Sequence, residues 1–168
     1  MKILTADHVL PISSDPIANG AVAIDGDKIV DVGLRDDIIT MFPNADVEDF
    51  GQAAILPGFV NCHSHLELTA LRGGLDAVEH DFRSWLLKAN ELRAELSDDD
   101  IVRWAIAGAR EGAAAGVTCF GDIGRFGHAG VAALKEVGLR GIVLQETQFS
   151  PDNATADDDF RALGETFE

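Results

Sequence analysis

The first third of the chain shows short runs in which apolar and polar residues alternate, a pattern that predicts β-strands. The predicted elements are strands at 2–10, 20–24, 28–32 and 47–50, and one or two helical turns at 36–42. Asp25-Gly26-Asp27 separates two of these strands and is typical of a tight hairpin, because glycine accepts a positive φ. A sheet of three or four short strands needs cover for its apolar face.

From residue 54 the pattern changes, and apolar runs alternate with segments of helical periodicity. The predicted strands are 54–62, 117–120 and 139–144, and the predicted helices are about 82–96, 97–116, 128–137 and 156–167. This alternation predicts an α/β fold with a parallel sheet. The apolar run Ile142-Val143-Leu144 fits a strand that is buried on both faces. We therefore divide the chain into two domains, residues 1–53 and 54–168.

Local signals indicate where the helices begin and end. Ser97 precedes three aspartates and is expected to cap a helix, with the acids favoured by the helix dipole. We interpret this acidic triplet as a helix start rather than a metal site. Gly116 and Gly138 are expected to end helices. The apolar stripe of the 82–96 helix is interpreted as core packing rather than as a ligand-binding surface.

Composition and charge limit the classes of partner. The chain has 168 residues, 46% of them hydrophobic, which is typical of a globular protein of one or two domains. The net charge of −16 argues against nucleic acid and anionic membrane as partners. The two cysteines, Cys62 and Cys119, are too few for a disulfide framework and are expected to be buried thiols. No apolar run approaches membrane-spanning length, and a reducing cytoplasm fits these features.

Two histidines, His63 and His65, stand at the end of the apolar run 54–62. Side chains two residues apart on a strand point to the same face, so both imidazoles are expected to aim at one point. Such a pair suits a divalent metal that takes nitrogen ligands. A bare His-x-His is equally compatible with two ordinary polar residues at a strand end, and the motif alone does not decide.

Polar residues also follow the other two predicted parallel strands. Asp122 follows the second strand, and Gln145-Glu146 follows the third. In a parallel α/β barrel the reactive groups gather at the carboxyl ends of the strands. These residues and the histidines are therefore expected at the same end of the barrel. Asp122 is equally compatible with an ordinary turn residue. Glu146 stands at the end of a core strand, where a carboxylate needs an interaction partner or a functional role. We take Asp122 and Glu146 as candidate substrate contacts.

The segment around the histidines is long and specific: Ile55-Leu56-Pro57-Gly58-Phe59-Val60-Asn61-Cys62-His63-Ser64-His65-Leu66-Glu67-Leu68, behind a β-rich leader. With it, the chain resembles the amidohydrolase superfamily. More narrowly, it resembles the branch that contains guanine deaminases, S-adenosylhomocysteine deaminases, aminofutalosine deaminases and triazine hydrolases. Further matching segments are Ile3-Leu4-Thr5-Ala6, Gly20-Ala21-Val22-Ala23-Ile24, Lys28-Ile29-Val30-Asp31-Val32-Gly33, Leu71-Arg72-Gly73, Trp85-Leu86 and Gly116-Val117-Thr118.

The resemblance implies a fold and a set of roles. The fold would be the N-terminal part, about three βα units, of a TIM-like (β/α)₈ barrel, preceded by part of a small β-sandwich. His63 and His65 would be metal ligands, and Glu67 matches a position that contacts substrate in related deaminases. One divalent metal is expected, with zinc first and iron as the alternative, because imidazole suits both. Such enzymes use a metal-bound water, whose pKa is lowered to roughly 7.

The implied activity is hydrolysis of carbon–nitrogen bonds other than peptide bonds. The expected reaction is deamination of a purine-like or nucleoside-like N-heterocycle, so the expected partner is a small molecule, and homo-oligomerisation is left open. The family's remaining ligands and acid–base groups come from later strands, and a full barrel needs about 250 residues. We therefore assign no catalytic residue within this chain and expect the 168-residue piece to be inactive alone.

Two alternatives remain open at this stage. The chain could be a non-catalytic, truncated module that binds metal or assembles with another chain, or an unrelated α/β domain with a chance His-x-His. Coding sequence beyond Glu168 that continues with strands ending in His and Asp would favour the enzyme over the module. The sequence does not identify the substrate.

Overall fold

The computed structural model describes residues 1–146 and 156–165. It divides into two units, Met1–Pro57 and Gly58–Glu168. This division falls four residues after the predicted boundary at 53/54. The assignment of the two parts to a β-sandwich and a barrel stays a prediction. The sequence also predicts a loop at 147–153, which lies outside the described residues. Within the part of the chain that is described, no helix is long and apolar enough to cross a membrane.

The first unit is a five-stranded sheet with one helix. Its elements are β1 (Lys2–Val9), β2 (Ile17–Asp25), β3 (Lys28–Leu34), α1 (Arg35–Met41), β4 (Asp46–Asp49) and β5 (Ala54–Ile55). The strand order is β3-β2-β1-β4, and β5 also pairs with β1. β1 is antiparallel to β2 and parallel to β4 and β5. The hairpin between β2 and β3 is confirmed, with Gly26 at φ +61°.

The core of the first unit lies between its sheet and α1. Buried members of this core are Ile3, Ala21, Ala23 and Ile38. Alternate residues of β1 and β2 supply three of these side chains, and α1 supplies the fourth, as expected for a sheet with one covered face. The cover that the apolar sheet face needs is therefore provided in part by α1.

The strand predicted at 54–62 is wrong as a single element. It is two strands: β5, which joins the first sheet, and β6 (Phe59–Ser64), which belongs to the second unit. Pro57 separates them, because proline has no N–H to donate and fixes its φ. Gly58 follows, packed so tightly on Thr118 that a Cβ at this position would overlap the threonine side chain. The break transfers the chain from one sheet to the other.

The second unit is a parallel sheet with helices. After β6 come 3₁₀ helices at Leu66–Leu71 and Asp76–Val78, then α2 (Phe82–Ala94), α3 (Asp98–Ala114), β7 (Val117–Gly124), α4 (Gly127–Val137), β8 (Arg140–Gln145) and α5 (Ala156–Glu165). The strand order is β6-β7-β8, and both pairs are parallel, as predicted. β7 extends four residues beyond its predicted end, so Asp122 lies inside the strand rather than after it.

The helices α3 and α4 build the core of this unit. Its buried residues are Leu66, Ile101, Ala105, Ala109, Phe120, Ala129, Ala133 and Leu134. The predicted start of α3 is confirmed, because Ser97 and Asp100 form a capping box that satisfies otherwise free backbone N–H groups. The predicted end of α4 is also confirmed, with Gly138 in the left-handed conformation at φ +76°.

Three expectations about burial are wrong. Phe82 at the start of α2 is 75% exposed, and in this helix only Ala89 is fully buried. Ile142 and Leu144 are 67% and 52% exposed, because the core formed with α3 and α4 takes up only alternate residues of the sheet. Cys62 is exposed and Cys119 is half-buried. Cys119 precedes Phe120 in β7 and therefore lies on the opposite face of the sheet.

Candidate functional site

The two histidines converge at the carboxyl end of β6. His63 lies within the strand, and His65 follows it directly, before the 3₁₀ helix Leu66–Leu71. Their Nε2 atoms are 3.2 Å apart, and the ring centroids are separated by 5.0 Å at an interplanar angle of 78°. The rings therefore bring two nitrogen atoms to one point, as the period of two in a strand leads one to expect.

The spacing of the two nitrogens fits a shared cation. Two imidazole nitrogens bound at 2.0–2.1 Å to a tetrahedral zinc lie about 3.3–3.4 Å apart, close to the observed Nε2–Nε2 distance. The same distance also permits a hydrogen bond between one protonated and one bare nitrogen. Among residues 1–146 and 156–165 there is no group of three or more His, Cys, Asp or Glu side chains that could hold a metal. The described residues could thus supply two of the three protein ligands that a catalytic zinc normally has.

Glu67 is a buried carboxylate next to this pair. It lies on the 3₁₀ helix that follows His65 and is only 4% exposed. Burial raises the pKa of Glu67, and the nearby Asp122 carboxylate adds to that rise. Arg93 of α2 opposes it, with Nη1 4.0 Å from Oε1 of Glu67.

Arg93 is a site residue that the sequence analysis missed. Its side chain is 12% exposed, and its Nε atom is buried without a hydrogen-bond partner in the structure. Burial lowers the pKa of Arg93, whereas Glu67 and Glu146 raise it. No local signal in the sequence distinguishes this arginine from an ordinary surface residue, because only the packing of α2 on the 3₁₀ helix Leu66–Leu71 places it here.

Asp122 lies inside β7 and is 2% exposed. Its Oδ1 atom accepts a hydrogen bond from the Leu66 N–H at 2.8 Å and one from the Ser64 hydroxyl at 3.1 Å. The residue is therefore part of the connection between β6 and β7 at the site. These contacts favour a structural role for Asp122 over the predicted contact with substrate.

Glu146 follows β8 and is exposed. Its backbone N–H donates to the carbonyl oxygen of Gly124 at 2.8 Å, which holds it at the end of β7. The side chain of Gln145 ties the same region together, accepting from the Gly127 N–H and donating to the carbonyl of Arg125, both at 2.8 Å. The structure thus brings the histidine pair, Glu67, Asp122 and Glu146 to the carboxyl ends of three parallel strands.

A separate apolar cavity of about 230 Å³ lies within the first unit. It is lined by Val9, Leu10, Pro11, Ser13, Val22, Ile29, Val32, Ile55, Leu56 and Pro57. None of these side chains is titratable, and none is a predicted site residue. This cavity therefore offers no acid–base or metal chemistry.

Comparison with known proteins gives a consistent picture. A model of the amidohydrolase family matches residues 54–162. A 5-methylthioadenosine/S-adenosylhomocysteine deaminase of Nitratidesulfovibrio vulgaris is 32% identical over 156 residues, covering 92% of this chain and 34% of that protein. A 5'-deoxyadenosine deaminase of Methanothrix thermoacetophila is 35% identical over 139 residues, covering 78% of this chain and 32% of that protein. The chain spans about a third of the length of these curated relatives.

Solved structures show the same fold. Helicobacter pylori aminofutalosine deaminase in complex with methylthio-coformycin matches with a TM-score of 0.71 at 21% identity, over 98% of this chain and 40% of that one. Atrazine chlorohydrolase from Arthrobacter aurescens, complexed with zinc, matches with a TM-score of 0.72 at 22% identity, over 88% of this chain and 36% of that one. At 21% and 22% sequence identity, both structural similarities are evidence for the fold only.

Proposed function

The chain belongs to the amidohydrolase family, and from this premise we propose that it forms the first part of a metal-dependent hydrolase that deaminates an adenosine-like small molecule. The observation that carries the proposal is the convergence of the His63 and His65 Nε2 atoms, 3.2 Å apart at the end of a parallel strand. In this proposal residues 1–53 belong to a β-sandwich and residues 54–168 to the first βα units of a TIM-like barrel.

His63 and His65 would hold a divalent cation, with zinc favoured and iron as the alternative. At least one further protein ligand would come from outside the described residues. When bound, the cation supplies Lewis acidity, which lowers the pKa of water to about 7 and provides a nucleophile at neutral pH.

Glu67 is proposed as a substrate contact. An adenosine-like molecule offers amino and hydroxyl donors, and an ionised carboxylate has only acceptor positions. The Arg93 guanidinium, 4.0 Å away, favours the ionised form of Glu67 against the effect of burial. Glu146, exposed at the end of β8, is proposed as a second contact. The overall reaction consumes one water and releases one ammonia, with the ring carbon exchanging its amino group for oxygen.

The test uses the full-length protein. Metal content is measured by mass spectrometry, and ammonia release is measured with 5'-methylthioadenosine, S-adenosylhomocysteine, 5'-deoxyadenosine and adenosine. The variant His63→Ala/His65→Ala is compared with His8→Ala/His80→Ala, which removes two exposed histidines from elsewhere in the chain. We expect the first variant to lose bound metal and ammonia release, and the second to keep both.

Unchanged metal content in His63→Ala/His65→Ala would contradict the ligand assignment. If His63→Ala/His65→Ala loses metal but the parent protein releases no ammonia from any of the four substrates, the result would favour the non-catalytic metal-binding module instead. Chloride release from a chlorinated triazine, without ammonia release from the nucleosides, would keep the metal site and replace the substrate class.

A further inference from the structure

Asp122 is a buried carboxylate that accepts hydrogen bonds from two neighbouring groups of the protein. Among the described residues only Thr5, Glu67 and Asp122 are buried polar or charged side chains, and Asp122 is the least exposed of the two acids at 2%. A carboxylate out of water is costly unless hydrogen bonds compensate the lost hydration. The groups that donate hydrogen bonds to Asp122 therefore indicate the role of this residue.

Those donors lie on either side of one metal-ligand candidate. The N–H of Leu66 donates to Oδ1 of Asp122 at 2.8 Å, and the hydroxyl of Ser64 reaches the same oxygen at 3.1 Å. The Ser64 hydroxyl also lies 3.2 Å from the carbonyl oxygen of Gly121. His65 stands between Ser64 and Leu66. Its main chain is thus held to β7 from both sides by a single carboxylate oxygen.

The backbone pairing leaves a gap that these bonds fill. The register between β6 and β7 shifts between Asn61 and Ser64, so the regular ladder is interrupted where His63 stands. Side-chain bonds from Asp122 therefore replace backbone bonds at the point where the two imidazoles must be aligned. A strand end without them would be free to change the direction of the His65 ring.

The other carboxylate oxygen is confined by α4. Gly130 of α4 faces Oδ2 so closely that a Cβ at this position would overlap it. The carboxylate is therefore enclosed between the end of β6 and the helix. Because the Asp122 carboxylate is fixed in position, its hydrogen bonds also fix the position of the main chain of His65.

We propose that Asp122 is a positioning residue, which holds the main chain on both sides of His65 so that its Nε2 atom stays beside that of His63. It acts through His65 and contacts neither substrate nor cation. The inference rests on the proposed metal site, because positioning is meaningful only if the two imidazoles share a ligand.

The experiment measures zinc affinity of the full-length protein by competition with a chromogenic chelator. Cobalt is then substituted for zinc, and the visible absorption bands report the ligand geometry. Asp122→Ala is expected to weaken zinc binding about tenfold, the lower end of the effect of residues that orient metal ligands, and to shift the cobalt bands. Asp122→Asn keeps an Oδ1 acceptor for both donors, so it is expected to stay within about threefold of the parent protein.

Thr5→Ala is the matched control. It removes another buried polar group, the Thr5 hydroxyl that donates to Asp49 at 2.9 Å, in the first unit of the chain. For Thr5→Ala we expect a lower free energy of unfolding and an unchanged zinc affinity. Equal loss of affinity in Thr5→Ala and Asp122→Ala would overturn the proposal, because the effect would then be one of general stability.

Ser64→Ala keeps the proposal testable if Asp122→Ala does not fold. This variant deletes one of the two donors and is expected to weaken zinc binding about threefold, with a smaller shift of the cobalt bands. Parent-like affinity in Ser64→Ala, and in Asp122→Ala if that variant folds, would overturn the positioning role. Zinc retained by His63→Ala/His65→Ala would overturn the metal site itself, which separates that failure from a failure of Asp122.

Discussion

Gly124, at the end of β7, lies directly against the carboxylate of Glu67. A Cβ at position 124 would be 2.6 Å from both carboxylate oxygens, a separation that real Cβ atoms do not show. The missing side chain therefore lets a buried carboxylate lie across the end of the neighbouring strand. A Cβ at position 124 would therefore have to displace the Glu67 carboxylate from its place against the strand.

Replacing Gly124 by alanine should move the Glu67 carboxylate without disturbing the metal. Because the added methyl group occupies the place of the carboxylate oxygens, we expect kcat/KM for the substrate to fall about 10- to 100-fold. Metal content should be unchanged, as His63 and His65 keep their positions. Gly164→Ala, which adds a methyl group in open space, is the control. Normal kcat/KM in Gly124→Ala would argue against Glu67 as a substrate contact.

Arg93 and Glu67 should be energetically coupled. Their charged atoms are 4.0 Å apart and both side chains are largely out of water, so removing the arginine leaves a buried carboxylate without its cation. We expect Arg93→Met to lower the free energy of unfolding by about 1–3 kcal/mol at pH 7, but by much less in a Glu67→Gln background. Denaturant unfolding of the four proteins of this cycle measures the coupling. Additive effects would show that the two residues do not interact.

The Ser97 capping box should contribute measurably to stability. The Ser97 hydroxyl accepts from the Asp100 N–H at 3.2 Å, and the Asp100 carboxylate accepts from the Ser97 N–H at 3.4 Å. Ser97→Ala should cost about 1 kcal/mol in the free energy of unfolding, whereas Ser97→Asp, also a good cap, should cost little. Chemical denaturation followed by circular dichroism compares the two. Equal losses in both variants would indicate that the cap itself is not responsible.

Asp49 should make the first unit sensitive to acid. The N–H of Gly51, the Thr5 hydroxyl and the Arg35 guanidinium together hold the pKa of Asp49 below its ordinary value. Because the pKa of the folded state is the lower one, the unfolded state takes up the proton first as the pH falls. The stabilisation is therefore complete above the unfolded pKa of about 3.9 and is lost as the pH falls through the folded pKa.

The comparison of Asp49→Asn with the parent protein tests this dependence. The difference in unfolding free energy between the two should be constant from about pH 5 to 8 and should shrink below about pH 4. Asp27→Asn, which changes an exposed carboxylate in the hairpin turn, is the control for a general effect of removing one negative charge. A difference that grows on acidification would have the wrong sign for a lowered pKa.

Much of the local structure follows directly from the sequence. The hairpin at Gly26, the cap at Ser97 and the end of α4 at Gly138 are decided by neighbouring residues, so they can be recognised without knowledge of distant contacts. The convergence of His63 and His65 belongs to the same class, because the period of two in a strand is a property of the backbone.

Burial and partners were decided by the tertiary structure alone. Phe82 is exposed and Glu67 is buried, although the hydrophobicity of each side chain suggests the opposite. The reason is that burial depends on which elements pack above a residue. Arg93 reaches the site only through the packing of α2, and Asp122 meets Ser64 and Leu66 across more than fifty residues of chain. The sequence thus determined the hairpin at Gly26, the helix start at Ser97, the end of α4 at Gly138 and the convergence of the two imidazoles, because these depend on neighbouring residues. Packing between distant segments decided which charged groups surround the imidazoles.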